Sequence, residues 1–247
     1  MLYSFIKNFP HAETYAYDVS RHNEHLFWEI PNFSRFWDNV EAIEGRFDCI
    51  TLIHCLEHIG DIRKTASKLY TLLKDSGVVI IQVPDVAQNM WDIFTYDHCH
   101  HFSFYTLYKL FIDAGFYVSL PHHQIARQIT LLASKQPLKQ GIENPDMFYF
   151  DCKHLNDVLA LLESLRTNGS SGGVFGTTIS TFVALVLGEW AQCFYDEDKR
   201  KIGKTHLGLP IVSPSEGDGC EIVMPLGESL YAKLSAKYPK HHFIRAF

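Results

Sequence analysis

One apolar segment followed by clustered polar residues constrains the fold of this chain more than any other feature. Residues 47–60 read FDCITLIHCLEHIG. The first part, Phe47–Ile53, is rich in the apolar residues that a buried parallel strand needs. His54, Glu57 and His58 follow it directly. Ligands of open α/β sheets bind beyond the carboxyl ends of the strands, so these polar side chains are candidate binding residues.

A helix and a second strand are predicted after this segment. Asp61 is a good helix N-cap, and the apolar spacing then predicts a helix through Leu72. Residues 74–77 read KDSG and predict a turn, and 78–83 predict a second apolar strand that Pro84 closes. Strand, helix and strand in this order predict an α/β fold.

These residues resemble the class I S-adenosylmethionine-dependent methyltransferases, whose fourth strand typically reads FDxIxxxHxLEHxxD. The family continues with a helix, LLKxGG and a strand ending in VP. The matching positions are Phe47, Asp48, Ile50, His54, Leu56, Glu57, His58, Asp61, Leu72, Leu73, Lys74, Gly77, Val83 and Pro84. The resemblance implies a Rossmann-like methyltransferase sheet and S-adenosylmethionine as the cofactor. It also implies that the residues after the fourth strand, His54, Cys55, Leu56 and His58, border the cofactor.

The first residues resemble the second motif of the same family. Residues 2–9 have the apolar spacing of a helix, and Thr14–Tyr17 is a predicted strand that ends at Asp18. An acidic residue there holds the cofactor ribose in Rossmann-like nucleotide sites. Residues 32–37 predict a third strand, and the resemblance makes Trp37 and Asp38 candidates for contact with the adenine. A core tryptophan and a solvated aspartate remain an equal alternative.

The family's first motif, a strand ending in a glycine-rich turn, should precede this helix, yet the sequence begins at Met1. We therefore expect the chain to start inside the methyltransferase domain, without its first strand. The glycine turn lets the backbone approach the ligand, so a chain without it should bind the cofactor poorly. A functional protein that has dispensed with the strand is the alternative.

A run dense in histidine and aromatic residues, WDIFTYDHCHHFS, occupies residues 91–103. It resembles the YxEHxxYFS pattern of the sugar C-methyltransferases of deoxysugar and polysaccharide biosynthesis, with aspartate in place of glutamate and His101 in place of tyrosine. The resemblance implies that His98, Asp97 and Tyr96 are catalytic. A carboxylate beside a histidine orients the ring and raises its basicity, which suits a general base. The alternative is a histidine cluster that only packs against the aromatic rings.

The second half of the chain resembles the C-terminal domain of the same enzymes. The matching residues are Phe175, Gly176, Asp196, Lys201, Gly203, Gly208 and Pro210 to Pro214. The resemblance implies a methyltransferase domain over 1–135, a linker and helix over 136–168, and a smaller Rossmann-like α/β domain over 169–247. The cysteine-rich zinc region that usually begins those enzymes has no counterpart here.

Composition narrows the classes of function. The net charge is −6 and there is no basic block, which argues against nucleic-acid binding. No apolar run approaches the roughly 20 residues of a membrane span. The scattered cysteines form no CxxC pair, and we expect buried free thiols in a reducing cytoplasm. A zinc site built from His98, Cys99, His100 and His101 is conceivable, but crowded neighbours rarely form a tetrahedral set, so no metal is expected.

The sequence therefore predicts a methyltransferase that acts on a small polar substrate, either a nucleotide-linked sugar or a related glycan precursor, with C-methylation favoured. Two alternatives stay open. One is an O- or N-methyltransferase of another small molecule, since the first-half motifs are shared with such enzymes. The other is a catalytically inactive methyltransferase-like fragment or binding module.

Overall fold

The computed structural model describes residues 2–122, 124–138, 152–178, 180–217 and 219–246. Two compact units divide the chain, Met1–Arg46 and Phe47–Phe247. Of the predicted linker and helix over 136–168, residues 139–151 lie outside the described residues, and the part from residue 152 onward is described. None of the described helices is long and apolar enough to cross a membrane.

The first unit pairs two short parallel strands. Helix α1 (Leu2–Asn8) precedes β1 (Thr14–Tyr17), and helix α2 (Glu24–Phe27) precedes β2 (Phe33–Trp37). Strands β1 and β2 pair in parallel, with Tyr17 opposite Trp37. Their carboxyl ends consequently lie side by side. Strand β1 has the predicted bounds, and α2 is shorter than the residue 21–27 helix that the pattern suggests.

The second unit begins with a four-stranded mixed sheet in the order β3-β4-β6-β5. Its strands and helices are β3 (Phe47–Ile53), α3 (Ile62–Leu72), β4 (Leu73–Pro84), α4 (Phe104–Asp113), β5 (Tyr117–Ser119) and β6 (Gln128–Ser134). Strands β3 and β4 are parallel, and β6 runs antiparallel to both β4 and β5. The sheet therefore closes with an antiparallel strand.

Local chemistry explains the helices of this sheet. Asp61 caps α3 by accepting the Lys64 backbone N–H, as predicted from the sequence. Helix α4 begins at Phe104, because Ser103 and Thr106 form a reciprocal capping box in front of it. Between the helices and the sheet lies an apolar core built around Leu56, Ile81 and Phe111, all of which are fully buried.

The predicted turn at 74–77 is wrong, because the strand already begins at Leu73. Leu73 pairs with Phe47, and the ladder resumes at Cys49 and Val78 after an irregularity. Gly77 packs so closely on the backbone oxygens of Phe47 and Asp48 that a Cβ atom would lie only 2.9 Å from the nearer one. The absence of a side chain at Gly77 thus lets β4 come back against β3 there, after residues 74–76, which have no partners in the ladder.

The rest of the second unit holds a six-stranded sheet in the order β12-β11-β7-β8-β10-β9, parallel except for β9. Its elements are α5 (Cys152–Thr167), β7 (Gly172–Phe175), α6 (Ser180–Leu187), β8 (Ala191–Tyr195), β9 (Thr205–His206), β10 (Leu209–Val212), β11 (Glu221–Met224), α7 (Glu228–Lys237) and β12 (His242–Arg245). Phe94, from the loop after β4, is buried in the core beneath this sheet and packs 5.1 Å from the ring of Phe182.

The described cysteines differ from expectation. Cys49 and Cys99 are exposed, and Cys55, Cys193 and Cys220 are half-buried, so none of these five is buried, although each is a free thiol. Cys49 lies on β3, which is an edge strand of its sheet and exposes one face.

Candidate active site

The first unit brings the predicted nucleotide-binding residues together at its strand ends. Asp18 follows β1 and its backbone N–H donates to the carbonyl of Trp37, at the end of β2. Asp18 is exposed, and its Oδ1 accepts the backbone N–H of Ser20 at 2.8 Å. A fixed, solvent-facing carboxylate at this position fits the predicted role of accepting hydroxyl groups.

Trp37 is a core residue, as the alternative interpretation held. Its side chain is 7% exposed, its ring stacks on Tyr15 at 5.6 Å between centroids, and the Arg35 guanidinium lies 5.3 Å from its centroid. Contact between Trp37 and an adenine therefore stays a prediction, and it would involve only the part of the ring that is left exposed.

Asp38 is tied to Arg21 rather than free. The Arg21 Nε atom donates to Oδ2 of Asp38 at 2.6 Å, and the same guanidinium reaches Glu24 at 2.9 Å. This hydrogen bond, together with the arginine charge, lowers the pKa of Asp38 below its usual range. The pKa of Arg21 is raised for the same reason. Asp38 is thus held as a carboxylate beside the end of β2.

Strand β3 ends in a strained residue. His54 has a φ of +47°, which is uncommon for a residue with a side chain, and its N–H donates to the Gln82 carbonyl at 2.9 Å. This conformation turns the chain sharply, so that Cys55 is half-buried and Leu56 is fully buried in the core. Leu56 anchors the turn, and His54, whose side chain is 41% exposed, remains the more accessible candidate.

A short 3-10 helix, Leu56–His58, follows this turn. Glu57 is 1% exposed, and its backbone oxygen accepts the N–H groups of Cys99 and His100 at 2.7 and 3.2 Å. The ring of His58 packs edge-on against the ring of His98 with 4.7 Å between centroids. The turn after β3 and the histidine-rich loop after β4 therefore form one cluster.

Asp92 organises this cluster. Its carboxylate is 2% exposed, Oδ1 lies 2.7 Å from Nδ1 of His98, and Oδ2 lies 2.7 Å from Nδ1 of His101. A carboxylate accepts but does not donate, so both imidazoles present their Nδ1 hydrogen to Asp92. Each ring consequently keeps Nε2 as the nitrogen available to a substrate proton.

Asp97 does not hold His98, contrary to the sequence prediction. Its backbone oxygen lies 3.1 Å and its carboxylate 3.6 Å from Nδ1 of His58. Asp97 is 45% exposed and Tyr96 is 67% exposed, whereas Asp92 is buried. Asp97 and His98 are adjacent in the chain, but their side chains point apart. The carboxylate that reaches His98 belongs to Asp92, six positions earlier.

The four residues of the conceivable zinc set do not converge. Cys99 directs its sulfur to the carbonyl of His58 at 3.7 Å, and Nε2 of His100 lies 3.0 Å from the carbonyl of Gly60. His98 and His101 turn instead toward Asp92. The two outer residues of the run therefore face a carboxylate, and the two inner residues face backbone carbonyls.

Sequence reasoning missed Asp92 and passed over Glu57 as a site residue. The available signal at Asp92 was a lone carboxylate between Trp91 and Ile93 in an aromatic run, a place where a charged side chain needs a buried partner. Glu57 was part of the recognised motif, but only the fold reveals that it is buried.

The six-stranded sheet carries a separate polar cluster at the carboxyl ends of β7 and β8. Lys201 Nζ lies 3.0 Å from Asp196 Oδ2 and 2.9 Å from Thr177 Oγ1. Asp196 and Lys201 are two of the residues that match the C-terminal domain pattern, and the fold places them in contact.

Comparison with known proteins addresses the first half of the chain. A family model described as a methyltransferase domain matches residues 2–120. No curated protein matches the chain.

Solved structures with a likeness to this chain include methyltransferases of several kinds. An S-adenosylmethionine-dependent methyltransferase from Clostridium acetobutylicum is 14% identical, with 50% of this chain and 75% of that chain covered and a TM-score of 0.41. A possible histamine N-methyltransferase from Thermotoga maritima is 16% identical, covering 50% and 73%, with a TM-score of 0.42. An O-methyltransferase family protein from Burkholderia thailandensis is 16% identical, covering 55% and 47%, with a TM-score of 0.46.

Proposed function

We propose that the protein is an S-adenosylmethionine-dependent methyltransferase, since residues 2–120 match a family model described as a methyltransferase domain, and that it methylates a nucleotide-linked sugar or a related glycan precursor, preferably at carbon. The observation that carries the proposal is the buried Asp92, whose two carboxylate oxygens orient His98 and His101. Two ordered imidazoles suit a reaction in which a proton must leave the acceptor.

A carbon acceptor differs from an oxygen or nitrogen acceptor in how hard its proton is to remove. A carbon beside a keto group becomes a nucleophile only when a base removes its proton. The bound cofactor would then give its methyl group to that carbon and leave as S-adenosylhomocysteine. Histidine is suited to this task because its ordinary pKa lies near physiological pH. We assign the proton to Nε2 of His98, since its Nδ1 is engaged by Asp92. His101 is held in the same way and is the second candidate.

The cofactor supplies the methyl group when it is bound. Asp18 is the residue that we propose for the ribose hydroxyls, because it is exposed and is fixed by Ser20 at the end of β1. His54, Cys55, Leu56 and His58 are proposed to border the methyl end. Of these, His54 and His58 have the accessible side chains, and Leu56 serves through its backbone because its side chain is buried.

The substrate class rests on two resemblances in the chain. The 96–103 loop resembles the substrate loop of sugar C-methyltransferases, and residues 169–247 resemble their C-terminal domain. We propose that this second part forms an α/β domain that helps to hold the nucleotide sugar. The Thr177, Asp196 and Lys201 cluster, at the ends of two parallel strands, lies where such sheets bind ligands.

The test is the product. The purified protein would be incubated with cofactor labelled with carbon-13 in its methyl group and with a panel of nucleoside-diphosphate keto-sugars, and the product examined by NMR. We expect a labelled methyl bonded to a sugar carbon. A labelled methyl on oxygen or nitrogen would replace C-methylation with one of the alternatives, and transfer only to acceptors that are not sugars would overturn the substrate class.

A further inference from the structure

Glu57 is the most unusual polar group in the histidine cluster. Its side chain is 1% exposed, and among the described residues neither Oε1 nor Oε2 has a hydrogen-bond partner. Nδ1 of His54 lies 3.3 Å from Oε1, within ion-pair range, but the pair lacks hydrogen-bond geometry. Burying a carboxylate without such partners is costly, so it normally faces a cation or a metal.

Two imidazoles beside Glu57 have one nitrogen already committed. His98 presents Nδ1 to Asp92 Oδ1 at 2.7 Å, and His58 presents Nδ1 to the backbone oxygen of Asp97 at 3.1 Å. Because both partners are acceptors, both Nδ1 atoms carry the hydrogen and both Nε2 atoms keep a lone pair. Metal-ligating histidines are held in this way, by a carboxylate or a carbonyl on the opposite nitrogen.

The three side chains are close enough to share one ion. Glu57, His58 and His98 each offer a ligand atom, and these atoms lie within 4.8 Å of one another. We propose that Glu57, His58 and His98 bind a divalent first-row transition-metal ion of the zinc type. Two imidazoles and one carboxylate form a known catalytic ligand set that leaves positions open for water or a substrate oxygen.

The backbone holds this set in place. The Glu57 carbonyl accepts the N–H groups of Cys99 and His100, which fixes the loop carrying His98 to the 3-10 helix carrying Glu57 and His58. The ligands thus come from two segments, with His98 lying 41 residues after Glu57 and 40 residues after His58, in a local arrangement that is already assembled.

A second set, Asp92, His98 and His101, also lies within 4.8 Å. It is the weaker candidate because its groups already satisfy one another. Each Asp92 oxygen lies 2.7 Å from one imidazole Nδ1, so an ion between them would have to displace both hydrogens. The inference goes beyond the proposed function. An ion on Nε2 of His98 occupies the nitrogen to which the proton is assigned there, so with the ion bound the proton passes to Nε2 of His101, the second candidate.

The experiment is a metal titration of the full chain after treatment with a chelator. Zn²⁺ binding would be followed by calorimetry, and Co²⁺ binding by its visible absorption, which reports the geometry of the site. We expect one ion per chain in the assigned set. Glu57→Gln and His58→Asn should each lower the affinity at least about tenfold, the lower end of what even outer-sphere changes cost.

Two matched variants identify the ligands. His100→Ala removes a neighbouring histidine that lies outside the set and should bind Zn²⁺ as the unmodified chain does. His101→Asn should do the same, and a loss there together with normal binding by Glu57→Gln would move the ion to the Asp92 set and overturn the assignment. Because the His58 side chain is 40% exposed, His58→Asn should fold even if Glu57→Gln does not. Undiminished Zn²⁺ binding by His58→Asn, or no binding by the unmodified chain, would refute the proposal.

Discussion

Asp92 and His98 form a buried carboxylate–imidazole pair, with Oδ1 lying 2.7 Å from Nδ1 and with side chains 2% and 11% exposed. The pair fixes one tautomer of His98 and one orientation of its ring. Because Asp92 binds His101 through its other oxygen, one residue controls both imidazoles. The catalytic proposal thus depends on a buried carboxylate that acts through these two imidazoles.

Asp92→Asn should reduce methyl transfer at least about tenfold, the lower end of the cost when the partner that orients a functional histidine is changed. An amide offers one oxygen and one NH₂ group, so it can accept from only one of the two rings. The rate at saturating acceptor would be compared with that of Asp97→Asn. Asp97 is exposed and close only to His58, so Asp97→Asn should stay near the unmodified rate. Equal losses in the two variants would remove Asp92 from its organising role.

Asp18→Ala should weaken the binding of S-adenosylhomocysteine about tenfold or more, because hydrogen bonds to a charged group contribute roughly 1.5–3 kcal/mol. Calorimetric titration measures the change. Glu13→Ala is the matched control, since Glu13 is an exposed carboxylate just before the opposite end of β1. A similar loss in both variants would point to a general effect of charge, and no loss in Asp18→Ala would make Asp18 a turn residue only.

Asp38 should titrate below the ordinary aspartate pKa of about 3.9, because Arg21 donates a hydrogen bond to its carboxylate and adds a positive charge. A lowered folded-state pKa means that the pair stabilises the fold above this ordinary pKa. The stabilisation is lost as the pH falls through the folded-state pKa. Carboxyl-carbon NMR would follow the titration. Arg21→Gln should raise the pKa of Asp38, whereas Arg35→Gln, which removes a cation packed on Trp37, should not.

Phe94→Ala should destabilise the second unit by about 3–5 kcal/mol, the range for removing a buried phenylalanine. Phe94 is 3% exposed, belongs to the core beneath the six-stranded sheet and packs against the ring of Phe182 at its margin. Urea unfolding would measure the loss. Tyr96→Ala, two residues later on a side chain that is 67% exposed, should change the stability by no more than about 0.5 kcal/mol. Similar midpoints for the two variants would mean that Phe94 is not an anchor.

Local patterns predicted the strands better than they predicted the site. Strands β1 and β3 have the predicted bounds, because each is a short apolar run that a polar residue ends. The start of β4 was missed, since the pairing of Leu73 with Phe47 overrides a turn-like sequence. The partner of His98 was missed for a related reason. Proximity in sequence favoured Asp97, while the loop folds so that Asp92 reaches the ring instead.

His98→Ala tests the catalytic role of this loop most directly, measured both for methyl transfer at saturating acceptor and for affinity toward S-adenosylhomocysteine. Removal of a general base usually costs about 10²–10⁴ in rate, so we predict at least a hundredfold loss with nearly unchanged cofactor affinity. His101→Ala should lose less than His98→Ala but more than His100→Ala, because Asp92 holds His101 and does not hold His100. Equal rates in the three variants, or a loss of cofactor affinity in place of rate, would contradict the assignment of this loop to the substrate.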